Sequence, residues 1–300
     1  MRISGPVSGS SPDHQGSSAG RGQDIGRRLS RIGLALILPV LLLAAWQFLA
    51  VRMNNPWLLP QVTAVLARLS RPFANVLETG SLLYNVGVSC LRVVFGFALA
   101  AIVAVPLGLV MGRIQLVRRI VGPFVEMFRP LCPIAWIPFA MAIFKTWTVV
   151  NVFGVRYSNT VLDTVQVGML FILFYGAFFP ILVNTLDGVL GVRDVHIESA
   201  RTLGAKPGQI FRKVVLPAAL PSIFTGLRLG LGVAWFVIVA AEMLPGSDAG
   251  IGYLMIYAYQ LAEMDVLISG MILIGVVGAL LSWGLARIGR PLTRWQRRAG

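Results

Sequence analysis

Few side chains in this sequence could do chemistry, and their neighbours limit which chemistry is open to them. The two histidines, His14 and His196, have neither a cysteine partner nor metal-ligand spacing. The two cysteines, Cys90 and Cys132, fall at or inside apolar runs, where a thiol acts as a small buried hydrophobe rather than a ligand or half of a disulfide. No metal site is expected. Hydrolysis within the membrane would need a nucleophile and a base within reach, and no histidine or acidic pair lies inside an apolar run. A phosphate-cradling loop needs Gly-Lys followed by Ser or Thr. The lysines are Lys145, Lys206 and Lys213, preceded by Phe144, Ala205 and Arg212, so this chain is not expected to bind ATP by that route.

Three ionisable residues stand out because they sit in or at the edge of apolar runs: Arg92, Arg228 and Glu242. A charge at membrane depth is costly and by default marks a functional position. Arg228 is the strongest attractor for an anion inside the membrane, and it also suits a tether between helices near an inner gate. Arg92 and Glu242 suit interfacial snorkelling or a structural ion pair. With the small polar Ser222 and Thr225, these three form the candidate translocation path or gate. A path must release what it binds, so small polar groups are expected rather than a deep charged pocket.

The elements that position these residues follow from composition. Hydrophobic residues make up 56% of the 300-residue chain and charged residues 13%, and the mean hydropathy is +0.78. That apolar excess requires a bilayer. Six runs approach the roughly 20 residues that span a hydrocarbon core: Ile32 to Val51, Val93 to Met111, Leu131 to Phe144, Val165 to Val183, Pro221 to Met243 and Val266 to Ala286. The third is short and carries Pro130, Pro133 and Pro138, so its helix is predicted to begin upstream near Ile120, with Glu126 and Arg129 close to the membrane face. The runs lack the period-2 polarity of barrel strands. An all-α integral membrane protein of six transmembrane helices is predicted.

The net charge of +14 comes from arginine clusters between the runs, without the interleaved aromatics of a nucleic-acid surface. Nineteen of the 26 basic residues fall on one side if the N-terminus is inside, against five outside. Both termini are therefore expected in the cytoplasm of a multi-pass plasma-membrane protein. Residues 1–30, rich in Gly, Ser, Arg and Pro, read as a disordered cytoplasmic tail, and 31–300 as the membrane domain. Pro60 to Leu69 has helical apolar spacing and is expected to lie on the membrane surface. Tyr253 to Leu261, aromatic and uncharged, reads as an interfacial or re-entrant helix. Lys145 to Thr164 has no assigned structure.

Between the fourth and fifth runs lies a long charged segment, 190–217. Its core reads as a short helix from Glu198, a bend at Gly204, and a second helical piece that Pro217 ends or kinks. Here the sequence resembles the EAA loop of permease subunits of ATP-binding-cassette importers: Glu-Ala-Ala, three residues, Gly, nine residues, Ile-x-Leu-Pro. Glu198, Ala200, Gly204, Leu216 and Pro217 match in register, with Ser199 in place of the first Ala and Val214 in place of Ile. Further segments, including Pro130 to Pro138, Thr225 to Arg228, Ala240 to Glu242 and Gly250 to Gly252, resemble the branch importing nitrate, sulfonates, taurine or bicarbonate. The 145–164 insertion departs from that branch.

The resemblance implies a type I importer permease without catalytic residues. Glu198, Ser199, Ala200, Gly204, Leu216 and Pro217 would form coupling helices that dock into a separate ATPase. Two such ATPase subunits, which bind the ATP and Mg, a second copy of the permease, and a binding protein outside complete the implied machine. The cargo implied is a small anion. The alternative is an ion-coupled secondary transporter, which should show repeated halves and mid-span carboxylates. Here the acidic residues lie mostly in loops or at span ends.

Overall fold

A computed structural model describes residues 37–144, 165–244 and 247–292. The sequence expectations for the N-terminal tail and the 145–164 insertion lie outside the described residues. Two compact units are distinguished, divided between Val62 and Thr63.

In the first unit the described part of the first run is a helix, α1 (Ile37–Met53). The chain turns at Asn54, whose φ of 45° suits the short polar side chain of asparagine. The turn is tied to α1 by the Trp46 indole N–H donating to the Pro60 carbonyl at 3.1 Å. The Val62 amide likewise donates to Gln47 Oε1 at 2.9 Å.

The second unit is helical in nearly all its described residues. It contains all but the first residue of α2 (Val62–Leu69), then α3 (Leu82–Arg113), α4 (Gln115–Phe128), α5 (Ile137–Phe144) and α6 (Val167–Leu190). These are followed by α7 (Asp194–Thr202), α8 (Pro207–Ile210), α9 (Leu216–Glu242), α10 (Ile251–Gln260) and α11 (Met264–Leu292). Four helical stretches among the described residues are long and apolar enough to cross a membrane: α3, α6, the continuous stretch from Pro207 to Glu242, and α11. The expected second, fourth, fifth and sixth spans correspond to these.

The third expected span is two pieces rather than one helix. α4 and the segment Pro133–Phe144 meet at a bend of 84°. Pro130 and Pro133 have no amide hydrogen, so the helical ladder cannot run through residues 129–133. The last carbonyl of α4, at Phe128, instead accepts from the Tyr175 hydroxyl. The chain restarts as a short 3-10 turn, Pro133–Trp136.

α6 is the centre of the fold, packed along α3 on one side and α9 on the other. Small residues make the close approach possible. On α3, Gly96, Ala100, Ala104, Gly108 and Gly112 recur every fourth residue, one stripe of a helix face. A β-carbon at Gly108 would come within 2.8 Å of Thr185 Cβ, and one at Gly112 within 2.5 Å of Val189 Cγ1. On the other side, a β-carbon at Gly226 of α9 would lie 2.7 Å from Asn184 Cβ. Ala100, Ala104, Ala177, Ile181, Ala234 and Ile238 fill the seam without exposure. By contrast Ile102 on α3, Phe236 on α9 and Leu280 on α11 stay exposed, as lipid or a partner helix would require.

Candidate functional site

The 190–217 loop is built from two short helices and a glycine turn. α7 ends in a Schellman arrangement: the Ala205 amide donates to the Ala200 carbonyl at 3.1 Å, and the Gly204 amide to the Arg201 carbonyl at 2.9 Å. That geometry needs a left-handed residue, and Gly204 supplies it with a φ of 78°. Ile197, Ala200 and Ala205 turn inward onto a core of Val189, Ile210, Val215, Ala219 and Ile223. Glu198 and Ser199 face outward and are exposed. So do Val195 and Leu203, an apolar pair that the sequence reading did not single out, with Leu203 87% exposed.

Pro217 does not end the second helical piece. The chain passes from α8 through a π-helical turn, Phe211–Val215, straight into α9. The widened turn lies just ahead of the proline that cannot donate, and the Leu216 amide reaches back to the Phe211 carbonyl. Pro217 therefore lies inside a continuous helical stretch, and the π turn ahead of it accommodates the missing donor. The stretch from Pro207 to Glu242 is thereby one continuous helical span. The Arg113 guanidinium lies over the Phe211 ring, 5.1 Å from its centre, and ties the end of α3 to the π turn.

At the opposite end of α9 the structure joins two residues the sequence held apart. Arg92 Nη1 and Glu242 Oε1 form an ion pair at 2.8 Å, with side chains 1% and 0% exposed. Neither snorkels to an interface. The Ser89 hydroxyl reaches both carboxylate oxygens, at 2.9 and 2.8 Å, and the Gly252 amide donates to the second at 3.1 Å. Arg92 also donates to the Ala249 carbonyl at 2.7 Å. Asn85, which sequence reasoning missed, accepts from the Gly250 amide at 2.9 Å and donates to the carbonyls of Thr79 and Ser81. The Ile251 amide donates to Ser89 at 2.9 Å. The turn before α10 is thereby clamped to α3 and α9. Gly250 has a φ of 121°, and a β-carbon there would run into the Glu242 carboxylate. The helix that follows is half buried through Ile251, Leu254, Met255 and Ala258, and Tyr253 stacks on Tyr257.

Thr225 and Arg228 lie together on an exposed face of α9. They line an open cavity of about 640 Å³ with Leu229, Gly232, Val233, Phe236 and, from α11, Ser282. Ser222 does not join them. It faces α6, where a β-carbon at Gly188 would come within 2.6 Å of its Cβ. No group of three or more metal-ligating side chains occurs among the described residues.

A family description, the binding-protein-dependent transport system inner membrane component, matches residues 104–297. The chain belongs to that family. This permease is 47% identical over 264 residues to an ABC transporter permease protein of Methanocaldococcus jannaschii, across 88% of this chain and 92% of that one. It is 31% identical to the taurine transport system permease protein of Escherichia coli, across 86% and 87% of the two chains. It is 34% identical to the bicarbonate transport system permease protein of Synechococcus elongatus, across 69% and 68%. Among solved structures, the inward-facing MetNI methionine ABC transporter shares the fold with a TM-score of 0.55 at 22% identity, covering 71% of this chain and 96% of that one. The chain is a transmembrane permease subunit of an ATP-driven importer, with a type I permease fold.

Proposed function

We propose that this permease moves a small oxyanion into the cytoplasm, and that the exposed Thr225–Arg228 face of α9 lines the route. The observation that carries this reading is Arg228. It is a cation inside a membrane-spanning helix, exposed on a cavity wall, with no ion-pair partner among the described residues. Relatives are named for taurine, bicarbonate and aliphatic sulfonates, cargoes that carry a sulfonate or carbonate oxyanion. An exposed α9 wall is half a pathway, and a second copy of the chain supplies the other half.

The motor is a separate ATPase, one per permease copy, which binds ATP and Mg. Exposed Glu198, flanked by the apolar Val195 and Leu203, gives α7 a charged and apolar tip suited to a groove on that partner. Closure of the ATPases draws the two tips together, and the rod from Pro207 to Glu242 carries the movement across the membrane. A binding protein delivers cargo from outside to the loops in 54–88 and 242–265. With the α7 tip inside, both termini are cytoplasmic.

Two substitutions test the proposal. Glu198→Arg should abolish co-purification of the ATPase while the permease remains folded. Arg228→Gln should leave that association intact and reduce uptake of labelled bicarbonate, taurine or nitrate about tenfold, the equivalent of ~1.4 kcal/mol. Full uptake of all transported anions by the Arg228→Gln protein removes Arg228 from the route. Undiminished ATPase binding by the Glu198→Arg protein removes α7 as the docking element.

A further inference from the structure

The break between α4 and α5 leaves Arg129 in a place the sequence did not suggest. Its backbone is fixed twice: its amide donates to the Val125 carbonyl at 2.9 Å, and the carbonyl just before it, at Phe128, accepts from Tyr175. Trp136 packs against Tyr175, with ring centres 5.6 Å apart, and seats the restart of the chain on α6. Arg129 itself is exposed and lines a cavity of about 380 Å³ with Tyr175, Asn184, Leu229 and Val233 among the walls. Leu229 and Val233 also line the Arg228 cavity, so the two spaces share a wall on α9. Among the described residues, Arg129 is the only charged one lining this second space.

A third cavity, of about 420 Å³, shares Arg129 and Val183 with the second and extends toward the end of α6 that leads into the coupling loop. It holds Arg118 and Arg119, but also the carboxylates Glu126 and Asp187. The order along the surface is therefore Arg228, then Arg129, then a mixed-charge region. Two cations separated by an apolar wall, followed by a region where Glu126 and Asp187 offset Arg118 and Arg119, suit an anion that must be handed on rather than kept.

We propose that Arg129, held at the end of α4 in the cavity adjoining that of Arg228, is a second contact for the transported oxyanion. The proposal rests on the reading that the Thr225–Arg228 face lines the route, and it names the next residue along it. Arg129 binds the anion by charge and hydrogen bonding, and the last turn of α4, with its Val125 bond, holds it there.

The first readout of the test needs no cargo. In the full chain, assembled with its ATPase in lipid nanodiscs, Cys90 and Cys132 are replaced by Ser and Val183 by Cys. Thiol modification is then timed with an anionic sulfonatoethyl methanethiosulfonate and with a cationic trimethylammonium analogue. Arg129 should favour the anionic reagent. Arg129→Gln should lower the anionic-to-cationic rate ratio about tenfold, as expected for losing one nearby charge at an effective dielectric between those of water and protein. Arg129→Lys should preserve the ratio, and the Lys but not the Gln variant should retain maximal anion uptake. An unchanged ratio in Arg129→Gln, or a Lys variant that behaves like Gln, overturns the proposal. Because the ratio is read without transport, its failure leaves the roles of Glu198 and Arg228 standing.

Discussion

The Arg92–Glu242 pair allows a quantitative test of how this fold is held at the end of α9 away from the coupling loop. Glu242→Gln keeps the shape of the side chain and removes its charge. The guanidinium of Arg92, 1% exposed, then loses the carboxylate at 2.8 Å, and Ser89 and Gly252 lose a charged acceptor. Removing one partner of a buried pair costs about 3–5 kcal/mol, because the remaining charge stays out of water. At about 2–4 °C of melting temperature per kcal/mol for a large domain, the drop should be on the order of 10 °C. The double variant Arg92→Leu/Glu242→Leu removes both charges. It leaves the Gly252 amide and the Ala249 carbonyl to find new partners, at about 1–3 kcal/mol each if they fail. It should therefore be less destabilised than either single leucine variant. The assay is thermal unfolding of the purified transporter in detergent, followed for the wild type, Glu242→Gln, both single leucine variants and the double. Hydrogen exchange at residues 250–252 should rise first in Glu242→Gln, since their amides are bonded to the clamp. A Glu242→Gln protein as stable as wild type, or single and double effects that simply add, would refute the view that the pair acts as one buried unit.

Two further outcomes follow from contacts elsewhere. Gly108→Val places branched carbon where a single β-carbon already lies 2.8 Å from Thr185, so α3 and α6 must separate. Loss of about 2–3 kcal/mol is expected, read as a lower melting temperature, whereas Gly87→Val, where no atom lies within 4 Å, should be mild. Arg68 bonds Asp265 at 2.7 Å and Glu263 at 3.5 Å, and the hydrogen bond to Asp265 holds its guanidinium pKa above the ordinary value. The cluster is solvent-accessible, so Arg68→Ala should cost no more than about 1 kcal/mol, and that cost should shrink in high salt.

The membrane class, the apolar helices and the helix–glycine–helix form of the 190–217 loop were legible in the sequence because they are local. Run length reports the bilayer, and the register from Glu198 to Pro217 is a pattern along one chain segment. The left-handed turn at Gly204 was legible for the same reason: a glycine there relieves a purely local steric limit. The small-residue stripe from Gly96 to Gly112 was also present in the sequence as a four-residue repeat, but its meaning depends on which helix lies opposite.

Other features required the tertiary structure. Arg92 and Glu242 are 150 residues apart, and no periodicity links them. Their burial, and Asn85 beside them, follow from where α3 and α9 end relative to the turn at 249–252. The prolines at 130 and 133 announced a disturbance in the third span, but not the 84° bend or the placement of Arg129 against α6. Equally, Ser222 and Thr225 look alike in sequence. Only packing turns Ser222 toward Gly188 and leaves Thr225 on the open face with Arg228. The sequence by itself determined which segments form apolar helices and where the glycine turn of the 190–217 loop falls, because hydropathy and backbone limits act residue by residue. Which charges are paired and which face a cavity was decided by the packing of helices distant in sequence.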